Sequence, residues 1–157
     1  MRKPKQLREH LTQLVPTLAN DPDKLLVFIE GGKLRTTWGK SLSFEYQYTL
    51  KMIVLDFADH AEALFVPILL WLKTHQPELI LNADRQASGI SFVVEPLSHE
   101  ASDIEIKLML TERVKVAENH GGLDVTHLGE NIPSGNLWAH TLPGLSLGET
   151  VAPAWPS

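Results

Sequence analysis

The chain has 157 residues, a 43% apolar fraction and a formal net charge of −5, which predict one domain with a buried core. The sequence contains no cysteine, which excludes disulfide bonds and thiolate chemistry and fits a reducing cytoplasm. No apolar run is long enough to span a bilayer, the basic start lacks a signal peptide's apolar segment, and the acidic balance argues against broad wrapping of nucleic acid.

Apolar residues at helical spacing predict an amphipathic first helix over Pro4–Leu18. Pro4 suits the first helical turn, whereas Pro16 removes a backbone hydrogen bond and predicts a bend or an early end. Residues that favour turns follow at Asn20–Asp23. We therefore expect the helix to lead through a turn into the first strand.

The next segment predicts a hairpin and then a long strand. Leu25–Ile29 reads as a short buried strand, and Gly31-Gly32 favours a hairpin turn into Lys33–Thr37. In the longer run Ser43–Leu55, the even-numbered positions are apolar or aromatic and most of the odd-numbered positions are polar. This period of two predicts a strand with one buried face.

A second helix follows the long strand. Asp59 is expected to cap its start, with Glu62 completing a capping box, and the helix is expected to end before Pro77. The apolar stripe continues across Pro67, which predicts one kinked helix rather than two. The stripe includes Leu69, so we expect this side chain to pack in the core.

The second half of the chain predicts three more strands. Leu79–Ser88 is rich in polar residues and is expected to be a loop. Alternation predicts strands at Ile90–Pro96 and Asp103–Val116, and Gly121-Gly122 predicts a turn before a last strand at Leu123–Leu128. The predicted fold class is α+β, an antiparallel-rich mixed β-sheet with two main helices packed against it.

The predicted domain organisation is a single α+β domain over residues 1–128 and a tail over residues 129–157. The tail contains four prolines and four glycines in 29 residues and no periodicity. This composition predicts a segment that is poorly ordered or is ordered by a partner. We expect the fold not to depend on it.

The two longest predicted strands are long for a domain of this size. Ser43–Leu55 would extend about 43 Å at about 3.3 Å per residue, against an expected diameter of about 36 Å. Strands of this length leave pairing groups open at their edges, and such edges are usually covered. A neighbouring subunit is the most economical cover.

No pattern in the sequence predicts chemistry. The seven histidines never fall at a metal-ligand spacing, so separate surface histidines are favoured over a metal site. The serines lack a nucleophile-elbow context, and each Gly-Gly pair precedes a strand rather than a helix, which argues against a phosphate loop. We therefore predict no catalytic residue, no cofactor and no metal, and a protein that is not an enzyme.

Several charged and aromatic residues are candidates for contacts with subunits or partners. The basic start could bind an acidic partner or form a solvated first helical turn. In the last long strand, a charge breaks the alternation on the buried face and would require a partner, which a subunit boundary could supply. The two tail tryptophans could anchor on a partner or fold back on the domain. The candidates are Lys3, Lys5, Arg8, Glu112, Arg113, Trp138 and Trp155.

Short sequence blocks occur in a fixed order between Pro4 and Val116. They are SLSFE from residue 41, YTL from 48, DF from 56, VP from 66, WL from 71, QPE from 76, and DIEIKLMLTER from 103. Taken together, these blocks resemble the tail completion protein R family of Peduovirus-like phages with contractile tails and of related prophages. The resemblance implies a structural protein that finishes the tail and prepares it for joining to the head.

The resemblance further implies a fold like that of tail terminators, which form rings, commonly hexameric, on the end of the tail tube. The implied partners are other copies of the chain, the tail tube and sheath proteins, and the head-completion or connector proteins. DNA would pass through the ring without specific binding, and no membrane is involved. The implied location is the tail of the virion, with the host cytoplasm during assembly. The alternatives are a generic adaptor acting as monomer or dimer and, less favoured, a small enzyme with an unrecognised site.

Overall fold

The computed structural model describes residues 1–36 and 39–130. A short 3-10 turn at Pro22–Lys24 precedes the first strand. The helices are α1 (Lys3–Leu14), α2 (Pro16–Asn20), α3 (Glu62–His75), α4 (Glu78–Leu81) and α5 (Ala83–Gly89). The strands are β1 (Leu25–Thr36), β2 (Phe44–Phe57), β3 (Ile90–Pro96), β4 (Ser102–Asn119) and β5 (Gly122–Leu128).

The five strands form one sheet of order β1-β2-β4-β3, and β5 pairs with β4 farther along the same strand. Each of these pairings is antiparallel. At Arg113 and Val114, β4 pairs with both β2 and β5, so β5 lies on the same side of β4 as β3. The predicted α+β fold, with helices packed against an antiparallel sheet, is confirmed.

The core lies between the helices and one face of the sheet. Even-numbered residues of β2 and β4 pair across the two central strands, as in Leu50 with Leu108 and Met52 with Ile106. All four side chains are buried, so the alternation predicted from the sequence is confirmed. Helical side chains complete the same cluster, namely Leu7, Leu11, Leu18, Leu64, Ile68, Trp71 and Leu72.

The first helical segment is interrupted at Val15, as its proline predicted. Val15 has an extended backbone, with φ −95° and ψ 110°, and its N–H donates to the carbonyl of Leu11. Pro16 disfavours the helical region for the residue before it and suits the first position of the new helix α2. The early end expected at Pro16 is confirmed.

The prediction of a hairpin turn at Gly31-Gly32 is wrong, because β1 is one continuous strand paired with β2. The favoured two-residue hairpin turns require positive φ at one or both central residues, and neither Gly31 nor Gly32 has it. A bulge at Glu30 shifts the register instead. A Cβ on Gly32 would lie 3.1 Å from the Cβ of Tyr48, so this glycine serves a close approach between strands.

Helix α3 continues through Pro67 as predicted, but its capping prediction is wrong. The residue at the N-cap is Ala61, which supplies no side-chain cap. Asp59 instead accepts a hydrogen bond from the Thr17 hydroxyl at 2.6 Å. This contact ties the loop before α3 to α2.

The outward side of α3 and the segment after it also differ from the predictions. Leu69 is 41% exposed, because the buried side of α3 carries Leu64, Ile68 and Leu72 at spacings of four. The loop predicted at Leu79–Ser88 contains helices α4 and α5, and the Asn82 side chain caps α5 by accepting two backbone N–H groups. Asn82 at an N-cap was the missed signal.

The β4–β5 hairpin extends beyond the rest of the sheet. Strand β4 has 18 residues, whereas its pairing with β2 ends at Val114. The turn has φ +40° at His120 and +86° at Gly121, the left-handed pair that a type I′ hairpin turn requires. We call residues 115–128 the hairpin arm; its side chains are exposed except at Val116 and His127.

The two faces of α3 predict different costs for the same substitution. Leu72→Ala should lower the free energy of unfolding by about 2–5 kcal/mol, because Leu72 is 0% exposed and its removal leaves a cavity. Leu69→Ala should change it by about 0.5 kcal/mol or less, because this side chain faces outward. Denaturant melts of the two variants measure both values. Equal losses would show that the helix packs with another face inward.

Candidate assembly surfaces

Strands β3 and β5 pair with the same side of β4, and a short unpaired stretch of β4 separates them. Pairing with β3 ends at Leu108 and pairing with β5 begins at Arg113. In this gap the N–H of Thr111 donates to Gln76 Oε1 at 3.1 Å, and the Thr111 carbonyl accepts from Lys3 Nζ at 2.6 Å. Two side chains therefore satisfy backbone groups that a strand would otherwise pair.

Glu112 is 5% exposed and binds the start of α1. Its Oε1 accepts the backbone N–H groups of Arg2 at 2.6 Å and Lys3 at 3.2 Å, and its Oε2 accepts the Tyr48 hydroxyl at 2.8 Å. A carboxylate at this position satisfies open N–H groups and complements the positive end of the helix dipole. Glu112 thus finds its partners in its own chain, and the partner expected across a subunit boundary is not needed.

Lys3 is 6% exposed and completes the same network. Besides Thr111, its Nζ donates to Gln76 Oε1 at 2.6 Å and to Glu130 Oε1 at 2.7 Å, which uses all three of its protons. Burial lowers the pKa of the Lys3 ammonium, and the neighbouring carboxylates, Glu130 foremost, partly offset that change. Lys3 therefore lies in an internal network rather than on a contact surface.

The other predicted contact residues lie at the surface or outside the described residues. Lys5 is exposed and pairs with Glu9 at 3.8 Å one helical turn away, a contact of small energetic value. Arg8 donates to the carbonyls of Leu25 and Pro22 at the outer edge of β1. Arg113 donates to the carbonyl of Gly129 at 3.2 Å. Trp138 and Trp155 lie outside the part of the chain that the structure describes.

Both lateral edges of the sheet are open in the described chain. Strand β1 pairs only with β2 on one side of the sheet, and β3 and β5 pair only with β4 on the other. Each edge strand carries large apolar side chains that are exposed, which is unusual for edges of a protein that acts alone. They are Leu26, Phe28, Ile29 and Leu34 on β1, and Phe92, Val93 and Val94 on β3.

Two further exposed apolar surfaces were missed by the sequence analysis. One is the outer side of α3, with Val66, Leu69 and Leu70, and the other is the hairpin arm, with Leu123 and Val125. A signal for the first was present, because α3 is apolar on all sides and such helices are normally covered all round. These surfaces are candidates for contacts with other proteins.

Within residues 1–36 and 39–130, no group of three or more His, Asp or Glu side chains is placed to hold a metal ion. Over the same residues, no helix is both long and apolar enough to cross a membrane. The features that stand out there are the buried polar network and the open apolar surfaces.

The model of the family described as P2 phage tail completion protein R (GpR) matches residues 1–131. The chain belongs to this family. Tail completion protein R of Escherichia phage P2 is 41% identical over 133 residues, which cover 85% of this chain and 86% of the relative. No solved structure matches the chain. The family predicted from the sequence blocks is confirmed, and the matched span contains the buried network and both open edges.

Tyr48 provides a test of the buried network. Burial and the bond to Glu112 raise the pKa of Tyr48, so its hydroxyl stays protonated and donates. Tyr48→Phe should lower the free energy of unfolding by about 1–3 kcal/mol, because one oxygen of a buried carboxylate loses its donor. The matched control is Tyr46→Phe on the same face, since the Tyr46 hydroxyl makes no hydrogen bond within the described residues. Similar melting midpoints for the two variants would contradict this role of Glu112.

Glu130 extends the structural contacts two residues past the predicted domain boundary. Its carboxylate pairs with buried Lys3, and the two side chains are 14% and 7% exposed. A chain ending at Leu128 should unfold with a free energy about 1–3 kcal/mol lower than a chain ending at Glu130, because it leaves Lys3 without this partner. Thermal melts of the two truncated chains measure the difference. Coincident melts would show that the pair contributes nothing to stability.

Proposed function

We propose that this protein is the structural tail completion protein of a contractile-tailed phage or related prophage, and that it acts as a ring capping the end of the tail. The observation that carries the proposal is membership of the tail completion protein R family over residues 1–131. Similarity to a relative of nearly the same length supports the same role for this chain. In this role the protein binds other proteins and catalyses no reaction.

The two open edges of the sheet support a ring. They are different surfaces on opposite sides of one subunit, so a contact that joins them is head-to-tail. Head-to-tail contacts close into rings when the rotation between neighbours is suitable and otherwise grow into filaments. A tail end with fixed rotational symmetry provides a template that sets this rotation. The proposed ring is hexameric and closes on the tail, so the isolated protein can be monomeric.

The remaining surfaces are assigned to the other partners. The outer side of α3 and the hairpin arm are apolar and exposed, and we assign them to the tail tube, the sheath and the head-completion or connector proteins. Lys5, Arg8, Arg113 and residues 129–157, with Trp138 and Trp155, remain proposed contacts of the same assembly. The finished ring belongs to the virion tail, and its subunits are made in the host cytoplasm.

The ring is proposed to let DNA pass without binding it specifically. The formal net charge of −5 supports this, because a net negative charge repels the phosphate backbone. The proposed bore would carry acidic groups, which repel DNA rather than hold it. The same net charge argues against a function in binding nucleic acid.

The proposed function is tested in the particle. A strain that lacks this gene should produce tails that are unfinished or of abnormal length and that fail to join heads, because no ring terminates the tube. Electron microscopy of lysates measures the lengths of the tails and counts the tails that are joined to heads. Expression of the wild-type chain from a plasmid is the control, and it should restore finished tails joined to heads. Normal tails with heads attached in the deletion strain would overturn the proposed function.

A further inference from the structure

The outward-pointing backbone groups of β1 can be assigned from its first residue. The Leu25 N–H donates to the carbonyl of Pro22, and the Leu25 carbonyl accepts from Arg8 at 2.6 Å, so both groups point away from β2. In an antiparallel ladder, residues alternate between pairing with the neighbour and pointing away from it. Val27 and Ile29 therefore present their N–H and carbonyl groups at the open edge.

The outward-pointing backbone groups of β3, at the opposite edge, follow from its first residue in the same way. The Ile90 N–H donates to the carbonyl of Gln86, so Ile90 points away from β4. By alternation, Phe92 and Val94 present their N–H and carbonyl groups outward. Pro96 is the next outward position, and it has no N–H to donate, which limits the open part of this edge to Phe92 and Val94.

The directions of the two edges are compatible with pairing. Strand β1 is antiparallel to β2, β2 to β4, and β4 to β3, so β1 and β3 run in opposite directions. If one copy's β3 lies beside the next copy's β1, the antiparallel sheet continues across the boundary. Pairing Val27 with Val94 and Ile29 with Phe92 uses both open residues of β3 and the open residues of β1 that precede the bulge at Glu30, and each pair exchanges two hydrogen bonds.

This register also places apolar side chains of the two strands next to each other on each face of the sheet. Val27 and Phe92 lie on the helix-bearing face of the sheet, in the row of the buried residues Met52 and Ile106. Their neighbours Phe28 and Val93 would face each other on the opposite face. A slip of one residue would place outward-pointing backbone groups opposite residues whose groups point inward, so the alternation of open groups opposes it.

Charge complementarity supports the same register. Leu26 would face Glu95, and the Arg8 guanidinium, which binds the carbonyl of Leu25, would lie at the same end of the boundary. Glu95 is exposed and takes part in no ion pair within the described residues. A carboxylate at this place would give Arg8 an acidic partner from the next subunit.

From these observations we infer that, in the ring, β3 of each copy pairs with β1 of the next copy in the register Val27 to Val94 and Ile29 to Phe92. The inference rests on the proposed ring, and it names the surfaces that join its subunits. The occupant of each edge is a second copy of this chain, because the two edges match each other in direction, in open backbone groups and in side-chain character.

Introduced cysteines test the register directly, since the native chain contains none. Phe28 and Val93 would form a pair without mutual hydrogen bonds, in which Cα atoms are about 4.5 Å apart, a distance that a disulfide can bridge. Leu26 and Glu95 would form a second such pair. Within one chain, β1 and β3 are separated by three strand spacings, about 14 Å, so a disulfide inside one subunit is excluded.

The doubly substituted chains are expressed in the deletion strain, and finished tails are purified, oxidised and separated without reductant. Phe28→Cys with Val93→Cys, and Leu26→Cys with Glu95→Cys, should each give a ladder of covalent multimers that collapses to monomer on reduction. The matched control, Leu26→Cys with Ser91→Cys, lies four residues out of register, about 13 Å, and should stay monomeric. Melts of the reduced proteins confirm that each variant is folded.

A second experiment uses singly substituted chains, so it does not require that a doubly substituted chain folds. Phe28→Cys and Val93→Cys are expressed as separate chains in one strain that also makes the wild-type protein. Because each chain then has one cysteine, oxidation should give disulfide dimers of the two variants and no longer multimers.

Absence of cross-linked products in finished tails, or equal cross-linking by the control pair, would overturn the inferred interface. Finished tails would in that case show that the proposed function stands while the interface is wrong. Normal tails in the strain lacking the gene would instead overturn the function itself.

Discussion

The fold depends on how the chain satisfies Thr111 in the gap of the longest strand. Strand β4 pairs with β3 and β5 on one side, and between them the Thr111 backbone binds the side chains of Gln76 and Lys3. These two residues come from the end of α3 and the start of α1, so one gap sets the positions of both helices. The adjacent Glu112 binds the first N–H groups of α1 and extends the same network to Tyr48. Without these contacts, a buried backbone donor and acceptor would lack partners, which costs more than the bonds themselves contribute.

This network is a costly way to hold helices, since burial of Lys3 and Glu112 removes two charges from water. Apolar side chains of similar volume could fill the space, but they would leave the Thr111 backbone unpaired. We therefore interpret the charges as a device that specifies geometry, a use of buried polar groups that is known in some proteins. The consequence for function is that Lys3 and Glu112 are fully engaged internally. Within the described residues, the surfaces left for the proposed assembly are mainly backbone edges and apolar side chains, together with the charges of Lys5, Arg8 and Arg113.

The sequence predicted the parts of the fold that follow from local periodicity. Alternation located the buried faces of β2 and β4, and Pro16 located the break after α1, because both effects act within a few residues.

Gly31-Gly32 was misread because glycine serves both turns and close strand approaches, and only the Tyr48 side chain across the sheet decides between them. Leu69 was misplaced because α3 is apolar on both sides, so periodicity alone could not choose the inner face. Glu112 was correctly recognised as buried, but its partners lie 64 to 110 positions away in the chain, beyond the reach of pattern reasoning.

Covering the sheet on one face only has a consequence for how such a subunit can assemble. The helices protect the side chains of the core, yet they leave the backbone groups of β1 and β3 available at the two lateral edges. Backbone hydrogen bonds along such an edge are directional and supply affinity, and burial of apolar side chains on both faces of the sheet adds to it. A subunit joined in this way gains neighbours of defined orientation without charged contacts across the boundary, apart from Arg8 and Glu95. Such an interface would be weakly sensitive to salt, which suits the proposed ring and the passage of DNA that is proposed for its bore.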